Sequence, residues 1–223
     1  FSKRSELHLP DKWPAYFIKA KKINVWDLKG SKYLDMICAV GTSVLGYSNE
    51  QVNKSVTKNI HKGNMTTLNC PEEVYLSNEI IKHHPWASMA KFTRGGGEAN
   101  TLAIRIARAY TKKQTVAFCG YHGWHDWYLS ANINSKKNLD EHLMSGLNYE
   151  GIPENLKNTS FPFQYNDFEY FTKLINKKNI GIIKMEVMRN IKPQNNFLQK
   201  VRNICNKKKI ILIFDECTSG YRE

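Results

Sequence analysis

Apolar residues recur along most of the chain at two spacings, one typical of helices and one typical of strands. Helical spacing predicts helices at about 50–61, 71–83, 98–110, 168–176 and 196–206. Short apolar runs predict strands that end near Phe92 and strands at 115–119, 180–185 and 209–214. Because strands and helices alternate, we expect an α/β fold with a mostly parallel central sheet, right-handed crossovers and helices on both faces.

Three stretches depart from this alternation. Residues 1–13 are polar and lack periodicity. Apolar and polar residues then alternate at 23–27 and 32–36 around a turn that contains Gly30, which predicts a β-hairpin. Residues 132–166 lack clear periodicity and are interrupted by glycine and proline, so we expect a long connection there.

Three consecutive glycines, Gly95 to Gly97, open the helix predicted at 98–110. The N–H groups in the first turn of a helix have no partner within the helix, the helix dipole adds partial positive charge, and glycine lets an anion approach the main chain. The turn is therefore a candidate phosphate site. A purely structural role is also compatible, because there is neither a Walker lysine nor a complete GxGxxG motif. The apolar face of the helix is expected to carry Leu102, Ile106 and Ala109.

Two polar segments directly follow predicted strands. The segment GYHG at 120–123 follows 115–119, and Asp215 follows the run 209–214. Ligands of an open parallel sheet bind where the carboxyl ends of strands meet, so both segments and the glycine turn should face one crevice. A carboxylate after so apolar a strand is costly unless it is paired. A phosphate cradle, an aromatic ring and a buried carboxylate suit a phosphorylated pyridine, although Tyr121 also fits an ordinary core position.

Several ordered motifs resemble those of class III aminotransferases, which are enzymes of PLP fold type I, and especially those of their glutamate-1-semialdehyde 2,1-aminomutase branch. The similar segments are WDLKGSKYLDM, the glycine turn followed by Glu98-Ala99-Asn100, the YHG of 121–123, and IFDECTSGYR. The resemblance implies pyridoxal 5'-phosphate as cofactor, a small-molecule amino, keto or semialdehyde substrate, and a homodimer. It also implies that 1–60 belong to a small domain and 61–223 to the first part of the large PLP-binding domain.

The same resemblance implies roles for particular residues. Those expected to bind the cofactor are Gly96, Gly97, Tyr121, His122, Glu186 and Asp215. The two glycines would hold the phosphate through backbone N–H groups, and the tyrosine would stack on the pyridine ring. Asp215 would pair with the protonated ring nitrogen and keep the ring an electron sink. Glu186 would lie near the ring hydroxyl, with a surface carboxylate as the alternative.

One requirement of the family is not met within this sequence. Its members attach PLP to a lysine some tens of residues beyond the strand-end aspartate, whereas the chain ends at Glu223, shortly after Asp215. The chain also begins with Phe1 rather than methionine. We therefore expect a partial sequence of a longer enzyme, with no catalytic residue of its own and no transaminase activity alone.

Composition changes this picture little. The 223 residues carry 33 Lys and Arg against 20 Asp and Glu, and the net charge of +13 is compatible with a nucleic-acid or membrane partner. The lysines are scattered in short clusters, as on solvated helix ends, so we expect neither partner. Five cysteines without a CxxC pair indicate no disulfide framework. With no signal-peptide pattern and no long apolar run, we expect a soluble, cytoplasmic protein.

Two histidine pairs resemble metal sites only superficially. His83 and His84 are adjacent in a predicted helix, so their side chains point about 100° apart and cannot easily share a metal. His122 and His125 lie beside Asp126, but the family resemblance assigns that turn to the cofactor. We therefore expect no metal.

Three functions remain compatible with the sequence. The leading one is PLP-dependent amino-group transfer, either by an aminomutase, which returns nitrogen to a neighbouring carbon of one molecule, or by an aminotransferase, which passes it to a second substrate. The second is a PLP-fold binding protein without catalysis. The third is a nucleotide-binding Rossmann-type domain, which would need a fingerprint spacing and a ribose-binding acidic residue that are absent here.

Overall fold

A computed structural model describes residues 14–63, 66–140, 142, 147–188 and 190–222. The chain divides into two compact units, the first ending at Ser88 and the second beginning at Met89. The boundary expected between residues 60 and 61 falls inside the first unit. The polar arm predicted at 1–13 lies outside the described residues.

The first unit contains a three-stranded antiparallel sheet in the order β1-β2-β3. Its strands are β1 (Phe17–Lys21), β2 (Asn24–Asp27) and β3 (Lys32–Leu34). The β2–β3 pair is the predicted hairpin, which is confirmed. Asp27 holds its turn, because Oδ1 accepts hydrogen bonds from the backbone N–H groups of Lys29 and Ser31 at 2.9 and 2.8 Å. Strand β1 was not predicted, since its apolar residues are mixed with exposed lysines.

Helices follow this sheet in the first unit. A short turn, α1 (Cys38–Gly41), precedes α2 (Glu50–Ile60) and α3 (Pro71–His83). The side chain of Asn49 accepts hydrogen bonds from two N–H groups in the first turn of α2 and so caps it. Helix α3 begins with a proline, whose missing N–H costs nothing at that position. Both predicted helices are confirmed.

The second unit alternates helices and strands. In chain order its elements are α4 (Gly96–Thr111), β4 (Thr115–Cys119), α5 (Asp126–Leu129), α6 (Ala131–Asn134), β5 (Ser160–Pro162), α7 (Phe168–Lys177), β6 (Ile180–Glu186), α8 (Phe197–Lys208) and β7 (Ile211–Asp215). The four strands form a sheet in the order β5-β4-β6-β7, and every neighbouring pair is parallel. The predicted parallel sheet is confirmed.

The two faces of this sheet bury separate apolar clusters. Ala117 of β4 and Ile183 of β6 belong to the cluster that includes side chains of α7 and α8. Val116 and Ile182, their neighbours in sequence, belong to the cluster that includes α4 and α5. This alternation follows from the two-residue period of a strand. Helices therefore cover both faces, as expected from the sequence.

Two predictions about elements are corrected by the structure. Residues 89–93 form no strand, so the strand expected to end near Phe92 is absent from the described residues. Residues 132–166 are not one connection, since they contain the end of α6, a short 3-10 helix and β5. Strand β5 has only three residues, too few for a period to be detected, and its Pro162 is tolerated because β5 lies at the sheet edge.

The buried face of α4 also differs from the prediction. Its buried residues are Asn100, Ile104 and Ala107, whereas Ile106 is 56% exposed. Both residue sets have helical spacing, and the polar Asn100 interrupts the apolar pattern of the face that packs on the sheet.

Within the described residues, no helix is both long and apolar enough to cross a membrane.

Candidate functional site

Asp215 is the centre of the candidate site. It ends β7 at the carboxyl edge of the sheet and is only 7% exposed. Its Oδ2 accepts hydrogen bonds from Nδ1 of His122 at 2.8 Å and from Nδ2 of Asn100 at 2.9 Å. Its Oδ1 accepts one from the backbone N–H of Cys217 at 3.0 Å. The carboxylate predicted from the sequence is therefore buried and paired, as its position in an apolar strand requires.

Two elements bring His122 and Asn100 to this carboxylate. His122 lies in the turn after β4, where its Nε2 is 3.1 Å from the carbonyl oxygen of Cys119. Asn100 lies in the second turn of α4 and also donates to the carbonyl oxygen of His122 at 3.1 Å. The helix, the turn and the end of β7 are thus held together by one buried hydrogen-bond network.

A lysine completes the surroundings of Asp215. Lys184 lies inside β6, is 2% exposed, and places Nζ 3.5 Å from Oδ2 of Asp215. Strand alternation puts it on the same sheet face as Ile182 and Glu186. Three side chains therefore contact Oδ2, two through hydrogen bonds and one through an ion pair.

Burial and charge act in opposite directions on these groups. Burial alone would raise the pKa of Asp215, but the His122 hydrogen bond and the charge of Lys184 outweigh it and hold that pKa well below its usual range. Burial lowers the pKa of Lys184, against the attraction of Asp215 and Glu186. Burial also lowers the pKa of His122. Asp215 is therefore ionised near neutral pH.

Glu186 occupies the equivalent position at the end of β6, and its Cα is the register partner of Asp215. It is 6% exposed, so the alternative of a surface carboxylate is wrong. Its Oε2 accepts a hydrogen bond from the backbone N–H of Tyr121 at 3.3 Å, and its Oε1 accepts one from the hydroxyl of Thr218 at 3.2 Å. A Cβ at Gly120 would collide with this carboxylate, and Gly120 has φ +105°, so glycine is required there.

The glycine turn begins α4 beside these residues. Gly95 precedes the first helical turn, which contains Gly96 and Gly97. A Cβ at Gly97 would lie 2.8 Å from the ring of His125, whereas one at Gly96 would meet only the Cys217 thiol at 3.7 Å. Gly97 therefore lets the turn after β4 approach the amino end of α4 closely, whereas the contact of Gly96 with the turn after β7 has an ordinary van der Waals distance. That end presents N–H groups and the positive end of the helix dipole.

Tyr121 is half-buried beside the same edge. Its ring lies edge-on to Tyr128, with 6.0 Å between ring centroids. The hydroxyl of Tyr128 donates a hydrogen bond to the carbonyl oxygen of Gly120 at 3.0 Å, which fixes the turn that carries Tyr121. The structure thus brings all six predicted residues to one edge of the sheet.

Sequence reasoning missed two members of the network. Asn100 stood inside a motif used for the family resemblance but was given no role. Lys184 was treated as part of an apolar strand. A charged residue inside such a run was itself a signal of a functional role, since a buried charge needs a partner.

Within the described residues, no group of three or more His, Cys, Asp or Glu side chains could hold a metal.

Known proteins resemble this chain in sequence and in fold. The family model Aminotransferase class-III matches residues 10–222. The chain is 31% identical to the 3-aminobutyryl-CoA aminotransferase of Cloacimonas acidaminovorans, over 96% of this chain and 50% of the relative. It is 35% identical to the glutamate-1-semialdehyde 2,1-aminomutase of Methanocaldococcus jannaschii, over 94% and 50% respectively. The FumI protein of Sphingopyxis sp. MTA144, solved in a PLP internal aldimine form, superimposes with a TM-score of 0.82 at 22% identity, over 96% of this chain and 50% of that one.

The chain belongs to the class III aminotransferase family. Its α/β architecture is that of PLP fold type I, as the resemblance implied. This membership rules out the Rossmann-type alternative. The chain spans about half the length of the curated relatives it matches.

Proposed function

We propose that the protein containing this chain binds pyridoxal 5'-phosphate and transfers an amino group. The observation that carries the proposal is the buried, ionised Asp215 held by His122, Asn100 and Lys184 beside the glycine-opened end of α4. An anion at this position fits a protonated pyridine nitrogen, and a helix amino end fits a phosphate. Both relatives described above are named for moving amino groups.

The residues present fit the cofactor. The N–H groups around Gly96 and Gly97 would hold its phosphate, and Tyr121 would lie against its ring. Asp215 would favour a proton on the ring nitrogen, because its lowered pKa keeps the carboxylate ionised near neutral pH. Glu186, which accepts a hydrogen bond from the backbone N–H of Tyr121, would lie near the ring hydroxyl. When bound, PLP supplies the electron sink that stabilises negative charge on the carbon next to the transferred nitrogen.

The substrate is proposed as a small amino, keto or semialdehyde compound. An aminotransferase and an aminomutase both occur among the relatives. An experiment is therefore needed to decide which of the two reactions this protein catalyses. Turnover of a single semialdehyde substrate would identify an aminomutase. Exchange of labelled nitrogen between an added amino donor and an added keto acceptor would identify an aminotransferase.

The first test is retention of PLP by the complete gene product. We expect the purified protein to keep PLP absorbance after dialysis, and Asp215→Asn to lose most of it because the ring nitrogen loses its anionic partner. Asp167→Asn is the matched control, since Asp167 caps α7 on the surface and asparagine caps equally well. A folded wild-type protein that retains no PLP would contradict the proposal and favour a non-catalytic binding protein.

Assembly, domain division and location are further parts of the proposal. We expect a homodimer, testable by analytical ultracentrifugation of the complete product. Residues 1–60 are proposed to belong to a small domain and 61–223 to the large PLP-binding domain. A cytoplasmic location is proposed because the described residues contain no disulfide, which suits a reducing compartment.

A further inference from the structure

Lys184 is the least expected member of the site. A lysine inside a central parallel strand buries a charge that the cofactor contacts proposed above do not use. Its neighbours Ile183 and Met185 are fully buried and apolar. Such a charge is retained only where a partner compensates its desolvation, and that partner is Oδ2 of Asp215 at 3.5 Å.

The contacts of Asp215 are unevenly divided between its two oxygens. A carboxylate oxygen has about two lone pairs to offer. Oδ2 already meets His122, Asn100 and Lys184, whereas Oδ1 accepts a hydrogen bond from the backbone N–H of Cys217. Acceptor capacity for an incoming N–H donor therefore remains on Oδ1.

The charges around Asp215 also affect how strongly it attracts a ligand. A fixed cation beside a carboxylate turns an isolated anion into a dipole, and a second cation approaching that carboxylate feels a weaker field. In this site the approaching cation would be the protonated ring nitrogen. Titratable or charged groups reach the surroundings of Asp215 from three elements. They are His122 in the turn after β4, Lys184 and Glu186 in β6, and Cys217 in the turn after β7. Helix α4 contributes only the neutral Asn100.

We propose that Lys184 is a positioning residue of the site. Its ammonium group is a built-in counter-ion that occupies Oδ2 of Asp215, leaves Oδ1 to a ligand N–H and weakens the attraction of Asp215 for a protonated ring nitrogen. The inference rests on the proposed function for the identity of the ligand. The counter-ion itself is a property of the protein without cofactor.

The test uses Lys184→Met and Lys184→Gln in the complete gene product. Methionine keeps the apolar stem and removes the charge, and glutamine removes the charge but keeps a donor. The first readout is the pKa of His122 in the cofactor-free protein, from NMR of labelled histidine, with the resonance assigned by its loss in His122→Gln. Burial lowers the pKa of His122 most, and the charge of Lys184 lowers it further, so removing that charge should raise the pKa in both variants.

The matched control is Lys173→Met, which removes an exposed lysine paired with Glu169 and should leave the His122 titration unchanged. The second readout is the ring-nitrogen titration of ¹⁵N-labelled PLP bound to the protein. We expect it to move to higher pH in both Lys184 variants, because the opposing cation is gone.

The two readouts separate the two proposals. An unchanged His122 titration in a folded Lys184→Gln protein would overturn the assignment of Lys184 as the counter-ion of Asp215. A shifted His122 titration with an unchanged ring-nitrogen titration would overturn the action of Lys184 on the ligand. A wild-type protein that binds no PLP would refute the proposed function, while the His122 titration would still decide whether Lys184 is the counter-ion of Asp215.

Discussion

The two units use the same kind of hydrophobic pattern with different results. In the second unit, the apolar faces of α4, α7 and α8 meet the sheet and bury two clusters. Among the described residues up to Ser88, none is buried, and the apolar stripe of α2 remains about half exposed, with Val52 at 46% and Val56 at 51%. Periodicity therefore predicts that an element forms but not what covers its face.

The largest effect is expected at the core of the second unit. Phe171 of α7 is 0% exposed and packs 5.1 Å from Phe163, measured between ring centroids. Phe171→Ala should lower the free energy of unfolding by about 3–5 kcal/mol, since it removes buried area and leaves a cavity. Urea unfolding of the complete product measures this change. A loss below about 1 kcal/mol would mean that the cluster is loosely packed.

The next largest effect is a loss of stability at low pH, which we expect in the second unit. Burial lowers the pKa of His142 in the second unit to about 4, and its Nδ1 accepts a hydrogen bond from the backbone N–H of Gly120 at 3.2 Å. The unfolded chain therefore binds a proton more readily than the folded chain does. Stability from this residue is complete above pH 6.5 and is lost as the pH falls towards about 4, by up to about 3 kcal/mol.

His142→Gln tests this sign, because glutamine can still accept from Gly120 but does not titrate. Its unfolding free energy should fall less than that of the wild type between about pH 7 and pH 4.5 in urea titrations. Equal pH dependence in both proteins would exclude His142 as the source. No described histidine of the first unit is buried, so acid should weaken the second unit first.

Helix caps should not distinguish the units, because their hydrogen bonds are local. Asn49 caps α2 in the first unit, and Asp167 caps α7 in the second. Asn49→Ala and Asp167→Ala should each cost about 1 kcal/mol of local stability. Native-state hydrogen exchange read by mass spectrometry measures each helix separately. A large cost for Asp167→Ala alone would show that packing, not capping, fixes the helix ends.

The smallest effect is expected on the exposed face of α2. Val56→Ala should change stability by no more than about 0.5 kcal/mol, because the side chain is half exposed before the change. The same hydrogen-exchange measurement on α2 peptides checks it. A cost above about 1 kcal/mol in the complete product would break the comparison, since something beyond the described residues would then cover this face.

The sequence predicted most elements of the second unit, because long helices and buried strands carry clear periods. It missed β5, which is too short for a period, and it chose the wrong face of α4, where Asn100 broke the apolar pattern. Within the candidate site, Asp215, His122 and the glycine turn were predicted from strand ends and family motifs. Asn100 and Lys184 were not given roles, because their importance comes from contacts with residues distant in sequence.

The position of Glu186 has a consequence for how the site can change during evolution. One carboxylate serves both the backbone of Tyr121 and the hydroxyl of Thr218. Substitutions on the two turns are therefore expected to be epistatic, with combined effects that differ from the sum of single effects. Directed evolution of the site would then progress faster with libraries that vary both turns together than with libraries that vary one turn at a time.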